Sequence, residues 1–289
     1  MVKKKLLILG AGGLLGQAFF DKQYLPDWNI EGHFGRRIEK NVDLNNTEQA
    51  ISYLNKVQPD AVLNLIALTD VDRCESYPNE AFLANVKVVE NVSKWIDTQE
   101  KKVQFVQISS DQVYDGQGPH KEDTPVLKNY YAFSKYAGEL AAISTKAAIL
   151  RTNFFGKSQI AHRGSFTDWL YKALTQQASI QLFDDVLFSP LSMTKLCEII
   201  AQVIEKDIVG TYNVGSREGL SKADFAYNFA TAVGLDTQYT NRVSIDDVKT
   251  IKTYRPKDMR LDVTRIEKAL GIVMPSLDQE IINVAKEYN

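Results

Sequence analysis

Cysteine is nearly missing from this 289-residue chain: only Cys74 and Cys197 occur, far apart and outside any C-x-x-C spacing. That excludes a disulfide scaffold and suits a reducing compartment. Histidine is equally scarce. His33, His120 and His162 stand at no ligand spacing, and neither a His/Glu cluster nor paired cysteines complete a site, so no metal is expected. Neither sign of charge predominates: 34 Lys and Arg against 36 Asp and Glu leave a net charge of −2. A general electrostatic pull toward nucleic acid or an anionic membrane is thereby excluded, and any phosphate site must be local. Long apolar runs are missing too. Nothing approaches the roughly 18 residues of a membrane helix, and the apolar part of "MVKKKLLILGAGG" is too short for a signal peptide. The expectation is a soluble cytoplasmic protein without a nucleic-acid or membrane partner.

What is present is enough for a full core, with 44% hydrophobic and 24% charged residues. Short apolar runs alternate with segments of helical period: "KLLILG" then 14–23, "WNIEGHF" then 47–57, "DAVLNLIA" then 79–97, "VQFVQISS" then 130–145, and "AAILRTN". Strands buried on both faces and separated by helices predict an α/β fold with a doubly wound parallel sheet of Rossmann type. Residues 1–155 form the expected dinucleotide-binding domain, completed by parts of 186–215. Residues 156–289 read as a smaller, mixed α/β substrate lobe, with helices near 164–176, 192–206, 221–234 and 278–288 and strand-like "IQLF" and "GTYNVG".

"GAGGLLG" follows the first strand and opens a helix. Gly10 permits the tight turn, Gly13 lets backbone approach a pyrophosphate, and Gly16 allows close helix packing, while the N–H groups of Leu14 and Leu15 open toward the anion. After the second strand, where an acidic residue would meet an NAD ribose, stand Arg36 and Arg37. They either neutralise a 2′-phosphate, favouring NADP(H) over NAD(H), or form a solvated basic loop. Asp43, beside Leu44, either caps the next turn or approaches the adenine.

"YYAFSKYAGE" holds three tyrosines, and only Tyr131 has a lysine, Lys135, one helical turn on. An ammonium beside a phenol favours the phenolate, so the hydroxyl exchanges a proton nearer neutrality. Glu139, four residues past Lys135, is positioned to compete for the lysine as an ordinary helix ion pair. Upstream, "VQFVQI" ends in "SSDQVYDG", placing a hydroxyl at the carboxyl edge of the sheet, where such folds bind ligands. Ser110 is the expected residue, with Ser109 the register-shifted second. Hydroxyl, phenol and ammonium on one carbonyl suit hydride transfer.

These motifs resemble the extended short-chain dehydrogenases/reductases. More narrowly, "NLIALTDVDRCESYPNEAFLANV", "SSDQVYDGQGPHKEDT", "NYYAFSKYAGE", "FDDVLFSPLSMTKLCEII" and "RPKDMRLDVTRIEKALGI" are similar, in order and over nearly the whole chain, to the dTDP-4-dehydrorhamnose reductase family. The resemblance implies NAD(P)H-dependent reduction of a 4-keto-6-deoxy nucleotide sugar for cell-surface polysaccharide synthesis. Tyr131 would donate the proton, Ser110 orient the carbonyl and Lys135 hold the ribose. It further implies cofactor contacts from Asn64, Ala67, Thr69 and Asn85, the two asparagines alternatively bonding buried backbone. Substrate contacts would come from Asp111, Gln112, Asn153 and Phe154. Departures bear on the sugar: Gln112 replaces a family aromatic, and "RTNFFG" lacks the family tryptophan, leaving Phe154 or Phe155 as that wall. Arg163 and Arg255 are candidate diphosphate clamps, and a homodimer is a further expectation. An epimerase or dehydratase retaining NAD, or a non-catalytic subunit on the same fold, are the competing readings.

Overall fold

A computed structural model describes residues 3–35 and 42–289. The chain runs β1 (Lys4–Leu9), α1 (Leu14–Asp21), β2 (Trp28–His33), α2 (Thr47–Val57), β3 (Ala61–Asn64), α3 (Val71–Ser76), α4 (Pro78–Phe82), a π-helical turn (Leu83–Lys87), α5 (Val88–Ile96), β4 (Gln104–Ser110), α6 (Tyr130–Ala142) and β5 (Ala148–Thr152). It continues through β6 (Phe154–Phe155), α7 (Phe166–Thr175), β7 (Ile180–Phe183), β8 (Leu187–Phe188), β9 (Leu191–Ser192), α8 (Met193–Glu205), β10 (Gly210–Val214), β11 (Leu220–Ser221), α9 (Lys222–Val233), β12 (Thr240–Val243), α10 (Thr264–Leu270) and α11 (Leu277–Ala285).

The central sheet has six strands in the order β10-β5-β4-β3-β1-β2. β1 pairs in parallel with β2 and β3, and β3 with β4, with Leu9 opposite both His33 and Asn64, and Asn64 opposite Gln107. β1, β2 and β3 thus end level, β4 runs three residues further to Ser110, and the turn after β1 emerges beside the segment after β3. The doubly wound α/β fold expected from the alternating runs is the one observed.

Two compact units are distinguished. The first comprises Met1–Ser110, Asn129–Arg151 and Cys197–Tyr212, and the second Asp111–Lys128, Thr152–Leu196 and Asn213–Asn289. In the first, Leu7, Leu9, Val62 and Phe105 from the strands bury against Ala50 and Leu54 of α2 and Val88, Val92 and Trp95 of α5. Each such aliphatic or aromatic side chain removed from water contributes about 1.5–3 kcal/mol. Capping sets the ends of α2: the Asn46 side chain accepts the Gln49 N–H at 3.0 Å, and Glu48 and Lys56 match the helix dipole. In the second unit, Phe155, Phe188, Phe225 and Phe229 pack with Leu170, Leu277 and Ile281.

The helix expected over 79–97 is interrupted by the π turn Leu83–Lys87. There the turn packs closely on α6: a Cβ on Gly138 would lie 2.2 Å from the Asn85 carbonyl oxygen, so glycine lets the two backbones approach. Among the described residues no helix is long and apolar enough to cross a membrane, and no cluster of three or more His, Cys, Asp or Glu is placed to hold a metal ion. His33 and His120 are buried, the latter stacked on Tyr114 with 5.0 Å between centroids. Both cysteines are free and buried, and burial pushes their thiols up, to about 11 for Cys74 and about 12 for Cys197.

Candidate active site

The glycine turn has the geometry of an anion cradle. Gly10 adopts φ +84°, in the left-handed region that favours glycine, and a Cβ there would meet the Ile66 nitrogen at 3.1 Å. A Cβ on Gly16 would lie 2.2 Å from the Gly10 carbonyl oxygen, so α1 packs directly on the turn. Gly13 occupies the N-cap of α1 without a side-chain cap, leaving the first-turn N–H groups of Leu14, Leu15 and Gly16 for a ligand. This donor set fits a dinucleotide pyrophosphate.

Around the cradle, other candidates are tied to structural partners. Asn64 is fully buried, donates to Gln107 at 2.8 Å and accepts the Ile66 N–H at 3.2 Å, which shapes the exit of β3. Ala67 is half-buried and Thr69 exposed on the loop that follows. Asn85 accepts the Leu68 N–H at 2.8 Å and donates to the Leu68 carbonyl at 3.1 Å and to Ser134 at 2.8 Å. Its amide therefore fastens the 67–69 loop to α6, and any hold on a cofactor would act through that loop. Asp43 accepts the Asn45 N–H at 3.1 Å in a turn before α2, while the cap itself is Asn46. Leu44 is buried, and its carbonyl accepts from Asn91 at 2.8 Å. Arg36 and Arg37 lie outside the described residues.

The Tyr-Lys pair stands on α6, whose N-cap Asn129 accepts the Ala132 N–H at 2.8 Å. Tyr131 and Lys135 are 6% and 4% exposed, one turn apart on the buried face. The Tyr131 ring packs with Val71, Cys74 and Ala81. Tyr130 and Tyr136 are occupied differently: the first lies 5.6 Å from Phe133, and the second lies under the Arg151 guanidinium at 5.7 Å. The Lys135 ammonium donates to the Ile108 carbonyl at 2.7 Å, two residues before Ser110. Burial pushes its pKa down from 10.5 to about 8, against the opposing charge of Glu139 and a smaller effect of Cys74.

The competing ion pair from Glu139 to Lys135 does not form. Instead Arg151 of β5 grips the Glu139 carboxylate, Nε at 3.0 and 3.1 Å from its oxygens and Nη2 at 2.6 Å. The Ser109 hydroxyl donates to the same carboxylate. That bond spends the Ser109 donor on the carboxylate, and Ser110, the next residue, is likewise buried at the end of β4. Sequence reasoning missed the network because Arg151 and Glu139 meet only through the sheet, although the helical spacing did single out Glu139.

In the second unit, Asp111 is buried and accepts from Asn153 Nδ2 at 2.8 Å, and Gln112 follows on a short 3-10 turn. Phe154 is half-buried, whereas Phe155 is 1% exposed and edge-on to Phe225 at 4.8 Å, so Phe155 is committed to the core. Arg163 lies on an exposed loop, where its carbonyl accepts from Ser158 at 2.6 Å. Arg255 is half-buried and donates to the Thr253 carbonyl at 3.1 Å.

Residues 4–289 match the family described as the RmlD substrate binding domain. The chain belongs to that family. Members similar to it include the dTDP-4-dehydrorhamnose reductase of Aggregatibacter actinomycetemcomitans, 27% identical over 98% of this chain and 99% of the relative. The beta subunit of methionine adenosyltransferase 2 from Rattus norvegicus is also similar, 27% identical over 93% of this chain and 83% of the relative. Among solved structures, the dTDP-4-dehydrorhamnose reductase of Bacillus anthracis str. Ames, in complex with NADP, superposes with a TM-score of 0.88 at 24% identity over 99% of this chain and 100% of that one. The proteins to which this chain is similar thus include both a reductase and a subunit of another enzyme.

Proposed function

We propose that this protein is an NADP(H)-dependent reductase of a nucleotide-activated 4-keto-6-deoxy sugar, like dTDP-4-dehydrorhamnose reductase and serving polysaccharide synthesis. The observation that carries the reading is the buried pairing of Tyr131 with Lys135 on one face of α6, in the unit whose β4 ends at Ser110. A bound NADP(H) would supply the hydride to the sugar carbonyl. Ser110 donates a hydrogen bond that orients that carbonyl, and Tyr131 passes its proton to the oxygen as negative charge develops there. Lys135 stabilises the phenolate left behind and holds the ribose. The Gly10–Gly16 turn receives the pyrophosphate, and Arg36 and Arg37 select the 2′-phosphate of NADP(H) over NAD(H). In the second unit, Asp111, Gln112, Asn153 and Phe154 contact the sugar, and Arg163 and Arg255 face the diphosphate.

The test is turnover. Offered dTDP-, UDP- and GDP-linked 4-keto-6-deoxy sugars, the purified protein should oxidise NADPH in a one-to-one ratio with the alcohol formed, and NADH more slowly. Tightly bound stoichiometric NAD with sugar interconversion needing no reductant would overturn this in favour of an epimerase. Binding of NADPH without turnover of any sugar would favour the subunit reading, which similarity to methionine adenosyltransferase 2 subunit beta supports.

A pH profile probes Lys135. The buried ammonium loses its proton near pH 8, so kcat/KM should fall as pH rises through about 8. Stability moves oppositely. Between about 8 and the ordinary lysine value of 10.5 the unfolded chain binds more protons than the folded one, so folding is favoured as pH rises through that window. Lys135→Arg, whose guanidinium stays charged, should carry the activity limb to higher pH. An unmoved limb would assign it to another group.

A further inference from the structure

Lys222 is a cation without an anion beside it. It opens α9 immediately after the N-cap Ser221, its backbone N–H donating to the Val186 carbonyl at 2.9 Å. Its ammonium lies 4.2 Å from the centroid of Phe188 and 4.9 Å from that of Phe166. Those rings belong to the aromatic core of the second unit: Phe166 is 5.6 Å from Phe225, and Phe188 is 5.4 Å from it. Among the described residues the Lys222 ammonium forms no hydrogen bond and no ion pair, so its three donors are unspent. Burial pushes its pKa below the ordinary lysine value, and only the more distant charge of Asp111 opposes that shift.

Lys222 is half-buried, and the fully buried cations are partnered differently. Arg151 is forked onto Glu139, and Lys135 donates to the Ile108 carbonyl. Two aromatic faces return only part of the hydration an ammonium gives up, less than a charge-assisted hydrogen bond restores. A partly desolvated cation with open donors is poised for an incoming anion. Asp111, whose charge acts on Lys222 and whose carboxylate accepts from Asn153, is among the residues proposed above to contact the sugar.

We propose that Lys222, cradled by Phe166 and Phe188, binds the diphosphate of the nucleotide-sugar substrate. The choice of a diphosphate rests on the reductase reading, because that group is the only anion such a substrate carries. The stem and rings hold the ammonium in a water-poor setting, where its attraction to phosphate is strengthened.

The experiment is calorimetric titration of the intact protein with dTDP, UDP and GDP, in parallel with NADPH. Lys222→Met should weaken the best-bound nucleoside diphosphate by about ten- to a hundredfold. NADPH affinity should stay unchanged, and the melting temperature should hold or rise, since a half-buried ammonium without a hydrogen-bond partner is replaced by an apolar side chain that suits the Phe166 and Phe188 rings. Lys222→Arg should retain most of the binding. Unchanged diphosphate affinity in Lys222→Met, or wild-type protein that binds none of the three nucleotides, would overturn the assignment. A wild-type protein that binds dTDP through Lys222 yet reduces no keto sugar would sustain the site while overturning the reductase reading.

Discussion

Replacing Tyr131 by Phe is expected to lower turnover by about two to four orders of magnitude while leaving NADPH affinity nearly unchanged, the loss typical of removing a positioned proton donor. The packing argues that the effect will be chemical. Tyr131 is 6% exposed, and its ring lies among Val71, Cys74 and Ala81, contacts that phenylalanine preserves. The helix start depends on Asn129 and the Ala132 N–H, neither of which the substitution touches. Stopped-flow reduction of the preferred keto sugar, with NADPH affinity read by fluorescence, separates the two quantities. Near-normal turnover would remove Tyr131 from the mechanism, and a matched loss of cofactor binding would make its role structural.

The parts of this protein that could be read along the chain are those whose physics is local. Buried parallel strands leave continuous apolar runs, so β1, β3, β4 and β5 stood out, and helical spacing placed Tyr131 and Lys135 on one face of α6. Short or irregular elements were less legible: α3, α10 and β12 carry six, seven and four residues, too few to display a period. The π turn was invisible because no local period announces it, and the glycine packed against its Asn85 carbonyl, Gly138, lies in another helix.

Side-chain partnerships explain the rest. Asn64 and Asn85 have the composition of ligand residues, yet their amides are engaged with Gln107 and Ile66, and with Leu68 and Ser134. The helix expected near 221–234 singled out no residue of its first turn, and nothing in the identities around Lys222 announced that Phe166 and Phe188, 56 and 34 positions upstream, face its ammonium. Burial of a charge is a property of the packed unit, and no window of sequence contains it.

The network behind Ser109 carries the second large effect. Glu139 and Arg151 have side chains 3% and 4% exposed, and every contact between them is charge-assisted. Removing one partner from such a pair leaves the other buried and uncompensated, a loss of about 3–5 kcal/mol. Glu139→Leu should therefore lower the unfolding free energy by that amount in a urea titration, because the buried Arg151 guanidinium above the Tyr136 ring loses this carboxylate. Activity should fall more than stability alone explains, because the Ser109 hydroxyl loses its acceptor one residue from Ser110. Arg151→Met alone should also destabilise, but Glu139→Leu with Arg151→Met should recover much of the stability, since an apolar pair of similar volume suits the same site. The double variant should stay slow, however, because Ser109 is still without Glu139. Additive losses in the double variant would show that the two side chains contribute independently, and full recovery of turnover would show that the carboxylate does not position the end of β4.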